Sequence, residues 1–315
     1  MSLPTVNDVQ AVEPILQNLL VGYYNAESRF VADRAFPALS VDKDSGTYYV
    51  FDQKYWMSDT MLVRAPGMQY PQGDFAVSTG TYKTLQYALA KAIADEERAN
   101  SQVPMDLETA AVRWLGQKAL LRRERLWAAV AMAASVWGAA DGSVSTKWST
   151  DTSDPVGDVR TGVRTISQAT GASANTIIMG EIVRDRLINH PDLIDRVKYT
   201  SRAGIGSIDQ ALSEILGLNV LVGAAIYNSA NEAQTATYSP IVDDDILILY
   251  STPTPGLFEP SAGYTINWAP GGGMGGIRPV VRLDANDGDL IKFKMQITHE
   301  IVASYVGYYV ADVTD

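Results

Sequence analysis

An α+β fold with parts that reach beyond a compact body is predicted by three observations. Residues 104–137 carry one long helical pattern, residues 46–93 and 263–310 alternate like strands, and short strands and helices take turns between residues 156 and 250. With 315 residues and 46% apolar content the chain can bury a sizeable core.

The long helix is expected from Pro104 to Trp137. Ala, Leu, Arg, Glu and Gln dominate it, residues that lose little side-chain freedom in a helix. Asp106 can accept from free N–H groups at its start, and Gly138 with Asp141-Gly142 closes it. Leu115, Ala119, Leu126, Val130, Ala133 and Trp137 define the expected apolar stripe, and Arg122, Arg123, Glu124 and Arg125 break its middle with charge. At 1.5 Å per residue the helix would reach roughly 45 to 50 Å, which suits a strut.

Residues 1–45 read as an arm. Val9, Val12, Ile15, Leu16, Leu19 and Leu20 form a short amphipathic pattern with little partner surface in its own segment, so it should dock on another domain or subunit. Pro37 then disfavours helical geometry in the residue before it. Residues 46–93 read as a long hairpin: TYYVFDQKYW and TYKTLQYALAKAI are its strands, with Leu85, Tyr87, Leu89 and Ile93 at even spacing. About 25 Pro- and Gly-marked residues join them, and connections that long usually have a job. Tyr48, Tyr49, Phe51, Tyr55, Trp56, Met57 and Met61 load the hairpin with surface that a solitary monomer should not expose.

After the long helix, Val156, Val159, Val163 and Ile166 mark a helix ending before Gly171, and Asn175–Met179 reads as a buried strand. Helices are expected over Glu181–Asn189, stopped by His190-Pro191, and over Ser207–Leu216, where Ser207 and Gln210 are spaced as a capping box and Gly217 follows the end. Val220–Val222 and Ile246–Tyr250 are further strands. Pro279–Leu283 and Leu290–Ile297 flank the turn composition Ala285–Gly288, and the strand pattern continues through Ile301, Tyr305 and Val310.

Charge and chemistry exclude several classes. There are 36 acidic and 25 basic residues, a net charge of −11 that repels nucleic-acid phosphates and argues against sequence-specific DNA binding. The absence of cysteine removes disulfides, thiolate ligands and thiol nucleophiles together. With no basic leader and no run of 18 apolar residues, a soluble intracellular protein is expected. Gly271–Gly276 matches a dinucleotide-loop spacing, but Ile277-Arg278-Pro279 leads into a strand where that fingerprint needs a helix. Asp243–Asp245 reads as a solvated turn ahead of a calcium site, and Met295 stands where the loop beginning at Asp284 would need a bidentate glutamate. His190 reads as helix-end polar filling and His299 as a strand histidine. No catalytic, cofactor-binding or metal residue is assigned, and the chain is not expected to be an enzyme.

The order of parts, together with Leu62–Gly67, Tyr87–Ala90, Leu120–Arg125, Asn175–Met179, His190–Lys198 and Leu212–Asn228, resembles the major capsid proteins of tailed double-stranded-DNA bacteriophages, the Hong Kong ninety-seven-type fold. The resemblance implies an N-arm (1–45), an E-loop hairpin (46–93), a peripheral P-domain with the spine helix (94–150), an axial A-domain (151–257) and C-terminal P-domain strands (258–315). It also implies self-assembly into hexamers and pentamers of an icosahedral shell around genome DNA, in the virion, after assembly in the bacterial cytoplasm. Implied partners are a portal, a separate scaffolding protein and a decoration protein, with no membrane and no cofactor. Tyr55, Trp56, Met61, Arg64, Arg122, Arg123 and Arg125 are the candidate inter-subunit contacts. The alternatives are an encapsulin-type compartment packaging enzyme cargo and, more remotely, an intracellular α/β enzyme using carboxylates and lysines.

Overall fold

The computed structural model describes residues 25–51, 53–100, 107–138, 142, 144–198, 208–231, 233–252, 254, 261–283 and 287–315. The amphipathic pattern at 9–20, the helix start at Pro104 and Asp106, the cap at Ser207 and the turn residues 284–286 lie outside these.

A 3-10 turn at Glu27–Arg29 and helix α1 (Ala32–Ala35) lead to strand β1 (Ala38–Val41). β2 (Ser45–Phe51), helix α2 (Gln53–Trp56) and β3 (Val77–Lys83) follow, then β4 (Leu85–Ala94), α3 (Asp95–Asn100) and the long helix α4 (Leu107–Ala131). Next come α5 (Pro155–Thr170), β5 (Thr176–Gly180), α6 (Glu181–Asn189), α7 (Pro191–Lys198), α8 (Ile208–Leu216), β6 (Asn219–Gly223), β7 (Ile226–Asn228), β8 (Tyr238–Pro240) and β9 (Ile246–Leu249). The chain closes with β10 (Gly263–Trp268), β11 (Gly276–Leu283), β12 (Gly288–Ile301) and β13 (Gly307–Val310).

Four sheets result. In the five-stranded one, the 14-residue β12 pairs antiparallel with β11, β10 and β4, and β1 adds parallel to β10. The four-stranded sheet runs β13-β9-β5-β6, while β2–β3 and β7–β8 are separate hairpins. Every residue of β5 and β9 is buried, because helices cover both faces of that sheet. Ile177, Met179, Ile246 and Ile248 meet Val156, Val159 and Ile166 of α5 on one side. Ile178, Leu247 and Leu249 meet Phe36 and Trp127 on the other, so the arm, the long helix and this sheet share one core. A smaller core joins α4 to the five-stranded sheet through Ala111, Leu115, Ile93 and Ile291.

Four expectations are corrected. The long helix ends at Ala131 and not at Trp137, giving about 38 Å for its described length. Ser135 takes a left-handed φ of 68°, and the Trp137 indole N–H donates to the Ala131 carbonyl at 2.8 Å, satisfying a helix-end acceptor from within the core. The buried stripe is accordingly Ala111, Leu115, Glu124, Trp127 and Ala131, with Leu126 and Val130 half-buried.

The second hairpin strand is also two strands. Thr84 is buried between them, donating both its N–H and its hydroxyl to the Asp44 carbonyl at 2.8 Å and accepting from the Gln296 side-chain amide at 3.1 Å. Residues before it pair with β2, and residues after it run along β12. The C-terminal pattern likewise breaks after Ile301, and Gly307–Val310 cross to pair with β9 in the other sheet.

The first hairpin strand, expected over TYYVFDQKYW, ends at Phe51, and Gln53–Trp56 wind into α2 instead of extending the ladder. The helix expected from Val156 to Gly171 and the glycine turn into a strand agree with the observed elements. Asp154 accepts from the Gly157 N–H at 2.9 Å to start α5, and Gly171 ends it at φ 71°. The glycine run turns through Gly272, Gly273 and Gly275, all at positive φ, straight into β11.

Candidate self-assembly surface

The β2–β3 hairpin is held by a ladder from Ser45↔Lys83 to Phe51↔Val77. On one face the Tyr48 ring lies across Gly80 and the Tyr82 ring across Gly46, each so close that a Cβ on the glycine would clash with it. Two interlocked aromatic-over-glycine pairs thus stiffen a hairpin with little core of its own.

Beyond this ladder the connection builds its own tip. Pro66 and Gly67, the latter at φ 82°, occupy the middle of a turn closed by the Met68 N–H donating to the Ala65 carbonyl at 3.2 Å. Arg64 clamps that turn: its Nε donates to the Met68 carbonyl at 2.6 Å and its guanidinium sits 3.9 Å from the Tyr70 ring centroid. The tip is therefore shaped, yet Met61 is 93% exposed and Leu62, Val63, Met68, Tyr70 and Phe75 are exposed around it.

The arginine run of α4 is a hub. Successive helix residues point about 100° apart, so four neighbours address nearly every direction around the axis. Arg122 stacks 4.9 Å over the Tyr87 ring of β4, and Arg125 stacks 4.4 Å over Tyr227 of the β7–β8 hairpin. Arg123 pairs with Asp33 in the arm, with 13% of its side chain exposed. Glu124, which the sequence presents as one more surface charge, is 1% exposed and accepts from the Val31 N–H at 2.9 and 3.1 Å and the Ala32 N–H at 2.9 Å. It caps the N-terminus of α1 from 93 residues away. Burial pushes the carboxyl groups of Glu124 and Asp33 up, against the pull of the Val31 and Ala32 amides on the first and of Arg123 on the second.

Of the candidate contact residues, Tyr55, Met61 and Arg64 lie together on the exposed connection, and Arg122 and Arg125 lie on the exposed flank of α4. The Trp56 side chain is outside the described residues. Arg123 stands apart, turned inward to Asp33.

The histidines and the Asp243–Asp245 run serve structure. His190 follows α6 with its Nε2 3.1 Å from the Ser153 hydroxyl. Asp245 accepts from the Tyr309 hydroxyl at 2.7 Å and the Asp312 N–H at 2.9 Å, holding the C-terminal residues. Among the described residues no cluster of three metal-ligating side chains occurs, and no helix is long and apolar enough to cross a membrane.

Comparison with known proteins bears directly on this geometry. Solved structures superpose on nearly the whole chain. A phage-related protein from Bordetella bronchiseptica RB50 is 24% identical, with a TM-score of 0.71 over 92% of this chain and 94% of its own. The capsid of cyanophage P-SCSP1u gives a TM-score of 0.61 at 12% identity, covering 93% of this chain and 90% of its own. The chain has the fold of a tailed-phage major capsid protein. The mature capsid of bacteriophage PhiM1 agrees, at 11% identity and a TM-score of 0.59 over 93% of this chain and 89% of that one. In sequence, the family described as phage major capsid protein E matches residues 140–262. The major capsid protein of Burkholderia phage BcepMu is 27% identical over 277 residues, 83% of this chain and 85% of its own. Within the capsid fold the β2–β3 hairpin is the E-loop and α4 the spine helix, as the sequence resemblance implies.

Proposed function

We propose that this chain is the major capsid protein that tiles the icosahedral head shell of a tailed bacteriophage around its double-stranded DNA. The observation that carries this reading is the shaped, apolar tip of the E-loop, where Met61 is 93% exposed. Such surface costs solubility in a monomer and becomes buried when neighbouring copies close a shell. Tyr55, Trp56, Met61 and Arg64 form the contact set on the E-loop, with Arg122 and Arg125 on the spine helix; Arg123 is left out because it serves Asp33.

In this reading residues 1–45 are the N-arm, 46–93 the E-loop, 94–150 and 258–315 the P-domain and 151–257 the A-domain. Hexamers and pentamers of the chain meet a portal, a separate scaffolding protein and a decoration protein in the virion, after assembly in the host cytoplasm. The role is structural and not enzymatic. A net charge of −11 suits a wall that leaves packed DNA mobile without sequence-specific grip.

The test is assembly. Overexpressed full-length protein should sediment as megadalton particles that electron microscopy shows as closed shells, and deletion of residues 58–75 should leave folded subunits that do not close. Normal shells from the deletion variant would overturn the role given to the E-loop, and a full-length protein monomeric at every concentration would overturn the function itself.

A further inference from the structure

Helix α4 carries concentrated positive charge in an acidic chain. From Leu107 to Ala131 it holds Arg113, Lys118, Arg122, Arg123 and Arg125 against two carboxylates, Glu108 and Glu124. Glu108 is taken by Arg98 at 2.9 Å and Glu124 is buried on the Val31 and Ala32 amides, so neither is paired with Lys118, Arg122 or Arg125. At 100° per residue those three fall within roughly 60° of one another and form a single exposed row about 10.5 Å long.

Each cation of the row rests by an aromatic ring. Lys118 lies 5.9 Å from the Trp114 centroid, Arg122 4.9 Å from that of Tyr87, and Arg125 4.4 Å from that of Tyr227. Among the described residues none of the three enters a salt bridge, whereas Arg98, Arg123, Lys147 and Arg282 all meet carboxylates. A carboxylate orders a basic side chain and cancels its charge; a ring orders it and leaves the charge whole. A guanidinium held by a ring also keeps N–H donors free for bidentate contacts. Ordered cations in line, with their charge uncancelled, suit an anion of regular spacing.

We propose that this row binds the phosphate backbone of the enclosed double-stranded DNA, without reading its sequence, and so marks the flank of α4 that faces the packed genome. On the shell reading given above, on which this rests, DNA is the polyanion held against the wall. One strand of a duplex carries a phosphate about every 3.4 Å of axis, so roughly three phosphates match the row from Lys118 to Arg125. The chain as a whole is acidic, at −11, and repels the same backbone, which confines contact to this flank. At Arg122 and Arg125 the phosphates take the place of a neighbouring copy's groups, and a carboxylate of such a copy is the rival occupant.

Unassembled full-length subunits and a short duplex of mixed sequence provide the test, read by fluorescence anisotropy over a salt series. Log affinity against log salt should fall with a slope of about −2.7, as three phosphate contacts require, for two unrelated sequences alike. Lys118→Gln, Arg122→Gln and Arg125→Gln replace exposed side chains, and each should bring the slope to about −1.8 and weaken binding by about tenfold at low salt. Arg113→Gln removes an exposed charge at least about 120° around the same helix and should leave the slope at the unmodified value. A slope near zero, an equal drop in Arg113→Gln, or tighter binding of a poly-glutamate chain than of the duplex overturns the proposal, the last in favour of an acidic protein surface. Sedimentation of the unmodified chain reads shell closure separately. Closed particles whose subunits have no affinity for DNA reject the phosphate row and keep the shell; affinity for DNA without particles rejects the shell and, with it, enclosed DNA as the occupant.

Discussion

Phe36 and Met61 both belong to segments that protrude when the sequence is read, and they end in opposite environments. Phe36 is fully buried, edge-on to Trp127 at 6.1 Å and 85°. Its segment is tied down from afar, by Glu124 on the Val31 and Ala32 amides, by β1 along β10, and by the Thr265 hydroxyl on the Phe36 carbonyl at 3.2 Å. Met61 sits in a connection whose described hydrogen bonds close within a few residues, such as Arg64 to Met68 and the Phe75 N–H to Asp74. An extension is absorbed when distant groups satisfy its backbone and bury its rings, and it stays displayed when its bonding is local. That difference separates residues that hold the subunit together from residues available to hold subunits to each other.

The sharpest way to break the comparison is to truncate one ring on each side of it. Phe36→Ala should cost about 3–5 kcal/mol of subunit stability, because it leaves a cavity beside Trp127. Met61→Ala should change stability by less than about 0.5 kcal/mol, since the side chain loses little burial. Denaturant unfolding of unassembled subunits measures both. Equal losses would mean that the E-loop tip packs on its own subunit.

Acid should act on the absorbed side alone. His299 is buried on β12, with its Nδ1 3.0 Å from the same Thr265 hydroxyl that donates to the Phe36 carbonyl, so the neutral ring donates through Nδ1. Burial, reinforced by the positive charge of Arg123, lowers its pKa to about 4. The unfolded chain therefore binds the proton first: the stabilisation is fully present above pH 6.5 and is lost as pH falls from 6.5 through 4. The loss is about 3 kcal/mol. Glu124 and Asp33, raised by burial, tilt the opposite way, so the difference between the unmodified protein and His299→Gln isolates the histidine. Subunit stability measured from pH 7 to pH 4 should show a shallower fall in His299→Gln. Parallel curves would remove His299 from the anchoring of the arm.

Much of this division was legible in sequence where the signals are local. Asp154 and Gly171 bracket α5, His190-Pro191 ends α6, and the Pro- and Gly-marked chain between Trp56 and Val77 announces a connection. The display of Met61 follows from that composition as well. What could not be read depends on partners far along the chain. Thr84 splits one apparent strand in two because Asp44 and Gln296 claim it. Trp137 leaves the helix to serve the Ala131 carbonyl. Glu124 differs from its arginine neighbours through amides 92 and 93 residues away. No periodicity encodes such contacts, and Arg123 reads like its surface arginine neighbours for the same reason, because its partner Asp33 is 90 residues away.

The smallest expected effect falls on the local side of the comparison. Arg64 fixes the E-loop tip by one hydrogen bond and one stacking contact, both exposed, and exposed contacts of this kind are worth about 0.5–1 kcal/mol. Arg64→Ala should therefore leave the melting temperature of isolated subunits nearly unchanged. Its consequence belongs to assembly, where a loosened tip must be ordered again each time a copy docks. The variant should close shells more slowly, or only at higher subunit concentration, in a light-scattering time course. Arg64→Lys keeps the charge but loses the planar stacking on Tyr70 and the Nε donor, so it should behave like the alanine variant. If lysine restores normal assembly, Arg64 contributes charge alone and the tip is not held in shape by this clamp.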